Sequence, residues 1–318
     1  MKPKIWYMWD PGPAVREKLE PVADLVIGGS LETLPGVDAV VINNIIDASA
    51  TFFDQAGPSL RAVCRPGIGI DNVNLQDATA RGILVINTPD APTESTAEHA
   101  VALLMAMAKR VVVGHNQVTR WDRTNTLGLE LKDRTLGVVG YGRIGRRVVE
   151  ICGAGLRMKV LVFDPFLPAS VEINQHGAER VNSLQELLER SDVLTLHCPS
   201  TPETYHLIGK KELHTLRKGA YLVNASRGPV LDEAALIEAL SEGHLAGAAM
   251  DVFDPEPPAP DNPLLTMPNV IATPHIASST DRGVYLMSHG VADQLLQLFQ
   301  GERPPHICNP EAWSVRRK

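Results

Sequence analysis

Long apolar runs are missing from this chain. The most apolar helical stretch, residues 100–108, is far too short to span a bilayer. The apolar run behind Lys2 and Lys4 is too short for a secretory signal. Cysteine is scarce, with four in 318 residues. Cys64, Cys152, Cys198 and Cys308 are scattered without a CxxC pair, so neither a disulfide frame nor a metal site is expected. They read as buried thiols in a reducing cytoplasm. Basic runs are absent too, and the net charge of −7 argues against a nucleic-acid surface. No repeat of fixed period appears, which removes solenoid architectures. What remains is a chain long enough to bury a large core in two domains.

The most informative stretch is residues 136–164. A β-branched run at Val138 and Val139 meets glycines in GxGxxG spacing at Gly140, Gly142 and Gly145. A helical pattern follows, then a second apolar run that ends in Asp164. The spacing has a mechanical reading. Gly140 permits the strand-to-helix turn, Gly142 lets backbone N–H groups approach a pyrophosphate, and Gly145 lets helix and strand pack closely. The helix N-terminus adds the positive end of its dipole. A carboxylate at Asp164 accepts from ribose hydroxyls and repels a 2′-phosphate, which predicts NAD rather than NADP.

Ahead of this unit, apolar strands near residues 5–9, 25–27, 39–42, 62–64 and 84–86 alternate with helical patterns near 14–19, 51–56 and 75–81. That alternation implies a parallel sheet covered on both faces. Residues 94–110 read as a long helix, apolar nearly all round, lying between two domains. Residues 114–131 are polar and surround Trp121, as expected of a segment that wraps a neighbour or a partner subunit. The second α/β unit continues with strands near 193–196, 221–223, 246–250 and 270–272, with helices near 184–190, 211–216 and 233–241. A last long helix runs to Gln300.

Three strand ends in the second half carry reactive side chains: Arg227 after one, Glu256 after another and His275 after a third. Ligands in open parallel sheets sit outside the carboxyl ends of strands. Singly, each has an ordinary reading as a surface or turn residue. Together, beside a dinucleotide fingerprint, they fit hydride transfer. His275 takes the alcohol proton, Glu256 fixes the imidazole tautomer, and Arg227 grips a carboxylate bidentately beside the reacting carbonyl.

These motifs, in this order, resemble the NAD-dependent D-2-hydroxyacid dehydrogenase family. The resemblance covers the chain from about residue 60 to beyond Pro274. RPGIGIDNVN, at residues 65–74, is similar to the family's substrate-carboxylate loop, so Arg65, Gly67, Ile68 and Gly69 are expected to contact substrate, with the N–H groups of Ile68 and Gly69 binding the acid. Thr96 is expected near the nicotinamide, Arg143 and Ile144 at the pyrophosphate, and Pro199 and Thr204 on the adenosine side. Ala225 falls among the cofactor contacts, and Asp251 falls on the acid that binds the nicotinamide carboxamide. His275 is expected at the cofactor as well as in catalysis.

The family fold implies an α/β protein of two Rossmann-like or flavodoxin-like domains, each a doubly wound parallel sheet. A substrate domain of residues 1–97 and 285–318 is expected to be interrupted by an NAD-binding domain of residues 98–284, with hinge closure excluding water. A homodimer formed through residues 114–131 is implied, with no metal, membrane or nucleic acid involved. RWDRTNTLGLEL resembles the phosphoglycerate dehydrogenase branch, which would make Arg65 and Arg123 phosphate ligands and 3-phosphoglycerate the leading substrate. Ala80 departs from an Arg expected in some of those enzymes. Reduction of hydroxypyruvate or glyoxylate is the alternative, with phosphite oxidation behind it. Glu256 stands where the formate-oxidising branch has Gln. A non-enzymatic alternative is an NAD-sensing scaffold like the eukaryotic corepressors of this fold.

Overall fold

Short apolar strands and amphipathic helices alternate through the first part of the chain: β1 (Lys4–Tyr7), α1 (Pro13–Leu19), β2 (Asp24–Ile27), β3 (Ala39–Val41), α2 (Ala50–Ala56), β4 (Ala62–Arg65), α3 (Leu75–Ala80) and β5 (Leu84–Asn87). The next part opens with α4 (Thr93–Ala108) and α5 (Val111–Thr119), then β6 (Thr135–Val139), α6 (Arg143–Glu150) and β7 (Lys159–Phe163). It continues with β8 (Ala178–Arg180), α7 (Leu184–Arg190), β9 (Val193–Leu196), α8 (Lys210–Thr215), β10 (Ala220–Asn224), α9 (Glu233–Ser241), β11 (Leu245–Met250) and β12 (Val270–Ala272). A final helix, α10 (Asp281–Phe299), precedes the tail. The computed structural model describes residues 2–173 and 177–317. It divides into two units, Met1–Pro92 with Thr280–Lys318, and Thr93–Ser279.

The first unit is a five-stranded parallel sheet in the order β2-β1-β3-β4-β5. This is the flavodoxin-like order. Strands β3 and β5 are buried on both faces, which explains their uninterrupted apolar cores. Alternate residues serve two cores. Ile5, Tyr7, Val41 and Ile86 pack with α1 and α10, while Trp6, Val40, Phe53 and Val85 pack on the opposite face. The tail returns to this unit through Asn309, which is 1 % exposed. Its Oδ1 accepts from the Val85 N–H (2.8 Å) and its Nδ2 donates to the Ile83 carbonyl (2.9 Å), so an amide side chain substitutes for a neighbouring strand.

The second unit is a seven-stranded parallel sheet in the order β12-β11-β10-β9-β6-β7-β8. Read from β8, the strands follow the doubly wound nucleotide-binding order, and the order reverses between β6 and β9. The unit boundaries, at residues 92 and 279, lie five residues before the expected 97 and 284. Each boundary precedes a helix, so α4 goes whole to the second unit and α10 whole to the first. Two elements differ from the sequence reading. Helix α5 begins just before the polar stretch 114–131 and runs into it, where the sequence reading places no element, and it buries none of its residues. Strand β8 is three residues long with one buried side chain, too short to show alternation.

Candidate active site

The turn from β6 into α6 is built on close backbone approach. Gly140 has φ 93, a left-handed conformation that favours glycine. A Cβ on Gly145 would lie 2.1 Å from the Gly140 carbonyl oxygen, so helix and turn touch without room for any side chain. A Cβ on Gly142 meets nothing within 4 Å. The fingerprint is therefore sealed by protein at two glycines and open at the third, as a bound pyrophosphate requires. Asp164, at the end of β7, accepts from the Tyr141 N–H through Oδ2 (2.8 Å) and from the Phe166 N–H through Oδ1 (3.0 Å), which fixes the carboxylate at the fingerprint. Thr204 donates to the Pro199 carbonyl (2.7 Å) and accepts from the Thr201 N–H (2.8 Å), so the two residues expected on the adenosine side form one closed loop.

His197 was not singled out in the sequence. Its backbone follows β9 beneath the fingerprint, and a Cβ on Gly140 would lie 2.8 Å from its carbonyl oxygen. Burial lowers the imidazole pKa to about 4, so the ring is neutral. Its Nε2 lies 2.9 Å from the Thr195 hydroxyl. Thr96 is buried in the first turn of α4.

The three reactive side chains gather at the carboxyl ends of β10, β11 and β12. His275 Nδ1 lies 2.5 Å from Glu256 Oε1, with side chains 33 % and 28 % exposed. Among the described residues no protein group pairs with His275 Nε2. Arg227 is half-buried, and its Nη1 donates to the Ser226 carbonyl (2.7 Å).

Two fully buried polar side chains shape the loops that carry them. Asn224 accepts from the Ser226 N–H (3.0 Å) and hydroxyl (2.9 Å) and donates to the Arg227 carbonyl (2.9 Å). Asp251 accepts from Thr273 Oγ1 (2.6 Å), the Ile276 N–H (3.0 Å) and the Ala277 N–H (2.9 Å). The Asp251 N–H in turn donates to the Asn224 carbonyl (2.9 Å). Gly228 fixes the remaining spacing: a Cβ there would stand 1.9 Å from the Phe253 carbonyl oxygen, so only glycine lets the Arg227 loop lie against the segment leading to Glu256. Ala225 is buried between Asn224 and Ser226.

Burial alone would raise the Asp251 carboxyl, yet hydrogen bonds from His99, Thr273, Ile276 and Ala277 outweigh it and hold the group below the usual carboxylate range. Sequence reasoning missed Asn224 and Gly228. Their only sequence signal is the strand-end pattern Asn-x-Ser-x-Gly, which is common in turns.

The expected substrate loop belongs to the first unit, after β4. Gly67 has φ 116, and its N–H donates to the Thr88 hydroxyl (2.7 Å) while its carbonyl accepts from the Thr88 N–H (3.0 Å). The Asn87 amide donates to the Ile68 carbonyl (2.9 Å). The carbonyl side of the loop is thereby held. Among the described residues, no protein acceptor pairs with the N–H groups of Ile68 and Gly69, as a carboxylate-binding nest requires. Arg65 is differently disposed, because its Nη1 donates to the Ile42 carbonyl (3.2 Å). Arg123 is exposed. Its neighbour Asp122 lines a cavity with residues 265–271, which lead into β12, whereas His275 follows the end of that strand.

Comparison with known proteins agrees with this geometry. The family model described as D-isomer specific 2-hydroxyacid dehydrogenase, NAD binding domain, matches residues 101–277. A D-3-phosphoglycerate dehydrogenase of Archaeoglobus fulgidus is 41 % identical over 273 residues, 85 % of this chain and 51 % of that protein. A glyoxylate reductase of Korarchaeum cryptofilum is 42 % identical over 294 residues, 90 % of this chain and 87 % of that protein. The crystal structure of a glyoxylate reductase from Paecilomyes thermophila matches with a TM-score of 0.86 at 27 % identity, covering 98 % of this chain and 99 % of that one. The chain thus spans about half the length of the phosphoglycerate dehydrogenases it matches. With the fingerprint, the reactive trio and both parallel sheets in place, the chain belongs to the D-isomer specific 2-hydroxyacid dehydrogenase family.

Proposed function

We propose that this protein interconverts a D-2-hydroxy acid and its 2-keto acid with NAD(H). The observation that carries the reading is the His275–Glu256 pair. Glu256 accepts the Nδ1 proton, which leaves Nε2 as the basic atom turned to substrate. When bound, NAD supplies the hydride acceptor, and the open side of Gly142 gives its pyrophosphate a place. In oxidation the hydroxyl proton passes to His275 Nε2. In reduction the same atom returns it to the oxygen of the keto acid. Arg227 polarises that oxygen and pairs with the adjoining carboxylate. Ile144 and Arg143 open α6 and face the pyrophosphate through their N–H groups. Asp164 holds the adenosine ribose, which favours NAD.

Two substrates follow from the relatives, 3-phosphoglycerate and glyoxylate or hydroxypyruvate. The Arg65 tether to the Ile42 carbonyl, which occupies one of its donors, favours the small unphosphorylated acids. Initial NADH-oxidation rates with glyoxylate, hydroxypyruvate and 3-phosphohydroxypyruvate test this. The first two are expected to give the higher kcat/KM. A clear preference for the phosphorylated acid overturns the substrate reading, and silence on all three overturns enzymatic function in favour of an NAD-sensing scaffold.

We infer a homodimer from the segment after α4. Val118 is 75 % exposed and Trp121 and Leu127 are each 89 % exposed, beside a cavity of about 600 Å³ lined by α5 and residues 265–271. Large apolar side chains presented so openly are covered by a partner, here a second copy. Light scattering is expected to give twice the 34.5 kDa chain mass, and Trp121→Glu to reduce it to one; a wild-type monomer contradicts the assignment. Among the described residues no helix is long and apolar enough to cross a membrane. A cytoplasmic location is proposed on four cysteines that form no disulfide.

A further inference from the structure

Asp251 is 0 % exposed, and a carboxylate so placed requires compensation. Three of its hydrogen-bond donors are neutral: the Thr273 hydroxyl and the Ile276 and Ala277 amides. Among the described residues the one basic side chain against it is His99, which projects from α4 with its side chain 20 % exposed. His99 Nε2 lies 3.4 Å from Asp251 Oδ1 and 3.3 Å from Thr273 Oγ1. The Thr273 proton is directed at Asp251 Oδ1, 2.6 Å away, so the hydroxyl oxygen accepts from His99 Nε2–H. Donors therefore run from His99 through Thr273 to Asp251.

The far side of Asp251 is the reactive turn. Its two carboxylate oxygens hold the amides of the two residues after His275, and its backbone carbonyl holds the His275 N–H (2.8 Å). His275 itself has φ 53, a conformation costly for a residue with a Cβ, which persists only where surrounding bonds over-determine it. The direction of the imidazole toward Glu256 thus depends on a carboxylate whose own placement depends on helix α4.

We propose that His99 is a positioning residue: through Thr273 it orients the Asp251 carboxylate, and through Asp251 it holds the left-handed turn that aims His275. The proposal rests on the reading of His275 as the acid/base. Nothing in the sequence marks His99, which lies within an apolar helix where a histidine ordinarily reads as a satisfied core residue.

The test compares His99→Leu with His99→Gln in the full chain, by amide hydrogen exchange at Ile276 and Ala277 and by steady-state kinetics. In His99→Leu, exchange at both amides is expected to quicken and kcat to fall, each by about tenfold, the scale of one hydrogen bond to a charged group. KM for NADH should change by less than kcat, because the fingerprint that holds the pyrophosphate is untouched. Gln, whose amide donates from a similar reach, should restore most of both. Wild-type exchange and kcat in His99→Leu overturn the proposal, and so does a Gln variant as impaired as Leu, which reduces His99 to packing. If His99→Leu does not fold, Thr273→Val breaks the same line of donors with α4 unchanged, and wild-type exchange at residues 276 and 277 there also overturns it. Should the wild-type protein turn over no 2-keto acid, the acid/base reading fails, while the exchange comparison still decides the role of His99.

Discussion

His275→Ala is expected to lower kcat by at least ~10²-fold, the scale of a general acid/base, with NAD affinity unchanged. The separation follows from position. His275 stands at the end of β12 with its Nδ1 on Glu256, while the fingerprint lies between β6 and α6, held by its own contacts among Gly140, Gly145, Tyr141 and Asp164. If His275 carries the proton as proposed, removing the imidazole abolishes proton transfer and leaves the fingerprint intact. Glu256→Gln should act in the same direction by less, since it loses the carboxylate that fixes the tautomer but keeps the ring. Parallel measurement of kcat and of NAD binding by calorimetry checks this. Near-normal turnover in His275→Ala removes His275 from the mechanism, and a large loss of NAD affinity relocates it to binding.

Arg227→Ala is expected to reduce kcat/KM for the keto acid by about 10²- to 10³-fold, the range for removing a charge-stabilising donor at a reacting oxygen. Arg227→Lys should recover little of it. The guanidinium has a second task that an ammonium cannot duplicate, since its Nη1 donates to the Ser226 carbonyl and a planar fork of five donors can make that bond and still meet a carboxylate bidentately. The loop itself should survive either change. Asn224 grips the backbone on both sides of the arginine, and Gly228 keeps its contact with Phe253. Steady-state kinetics alongside thermal melting tests the point: an unchanged Tm with lost kcat/KM is expected, and full rescue by lysine contradicts a bidentate role.

The sequence made legible those parts of the molecule whose physics is local. The glycine spacing at 140, 142 and 145 marks a turn between a strand and a helix because the backbone conformation needs it, and the acid at 164 follows at the next strand end. Apolar strands in alternation with helices imply parallel sheets, since both faces must be covered. What stayed hidden depends on neighbours distant in the chain. Asn224 reads as an ordinary strand-end residue until β10 and β11 lie side by side and its carbonyl meets the Asp251 N–H. Gly228 looks like any turn glycine until Phe253 arrives against it. Helix α5 escaped because it buries nothing, so no apolar period records it. Arg65 and Arg123 were paired as phosphate ligands by resemblance alone, because nothing local to either residue distinguishes a phosphate ligand from a surface cation.

The central claim is hydride transfer to and from a D-configured 2-hydroxy acid, with the proton handled by His275. The chirality of the glycerate formed from hydroxypyruvate and NADH tests it most directly. Steady production of D-glycerate, abolished in His275→Ala, is the result predicted. L-glycerate, a racemate, or undiminished product from the alanine variant would contradict the account.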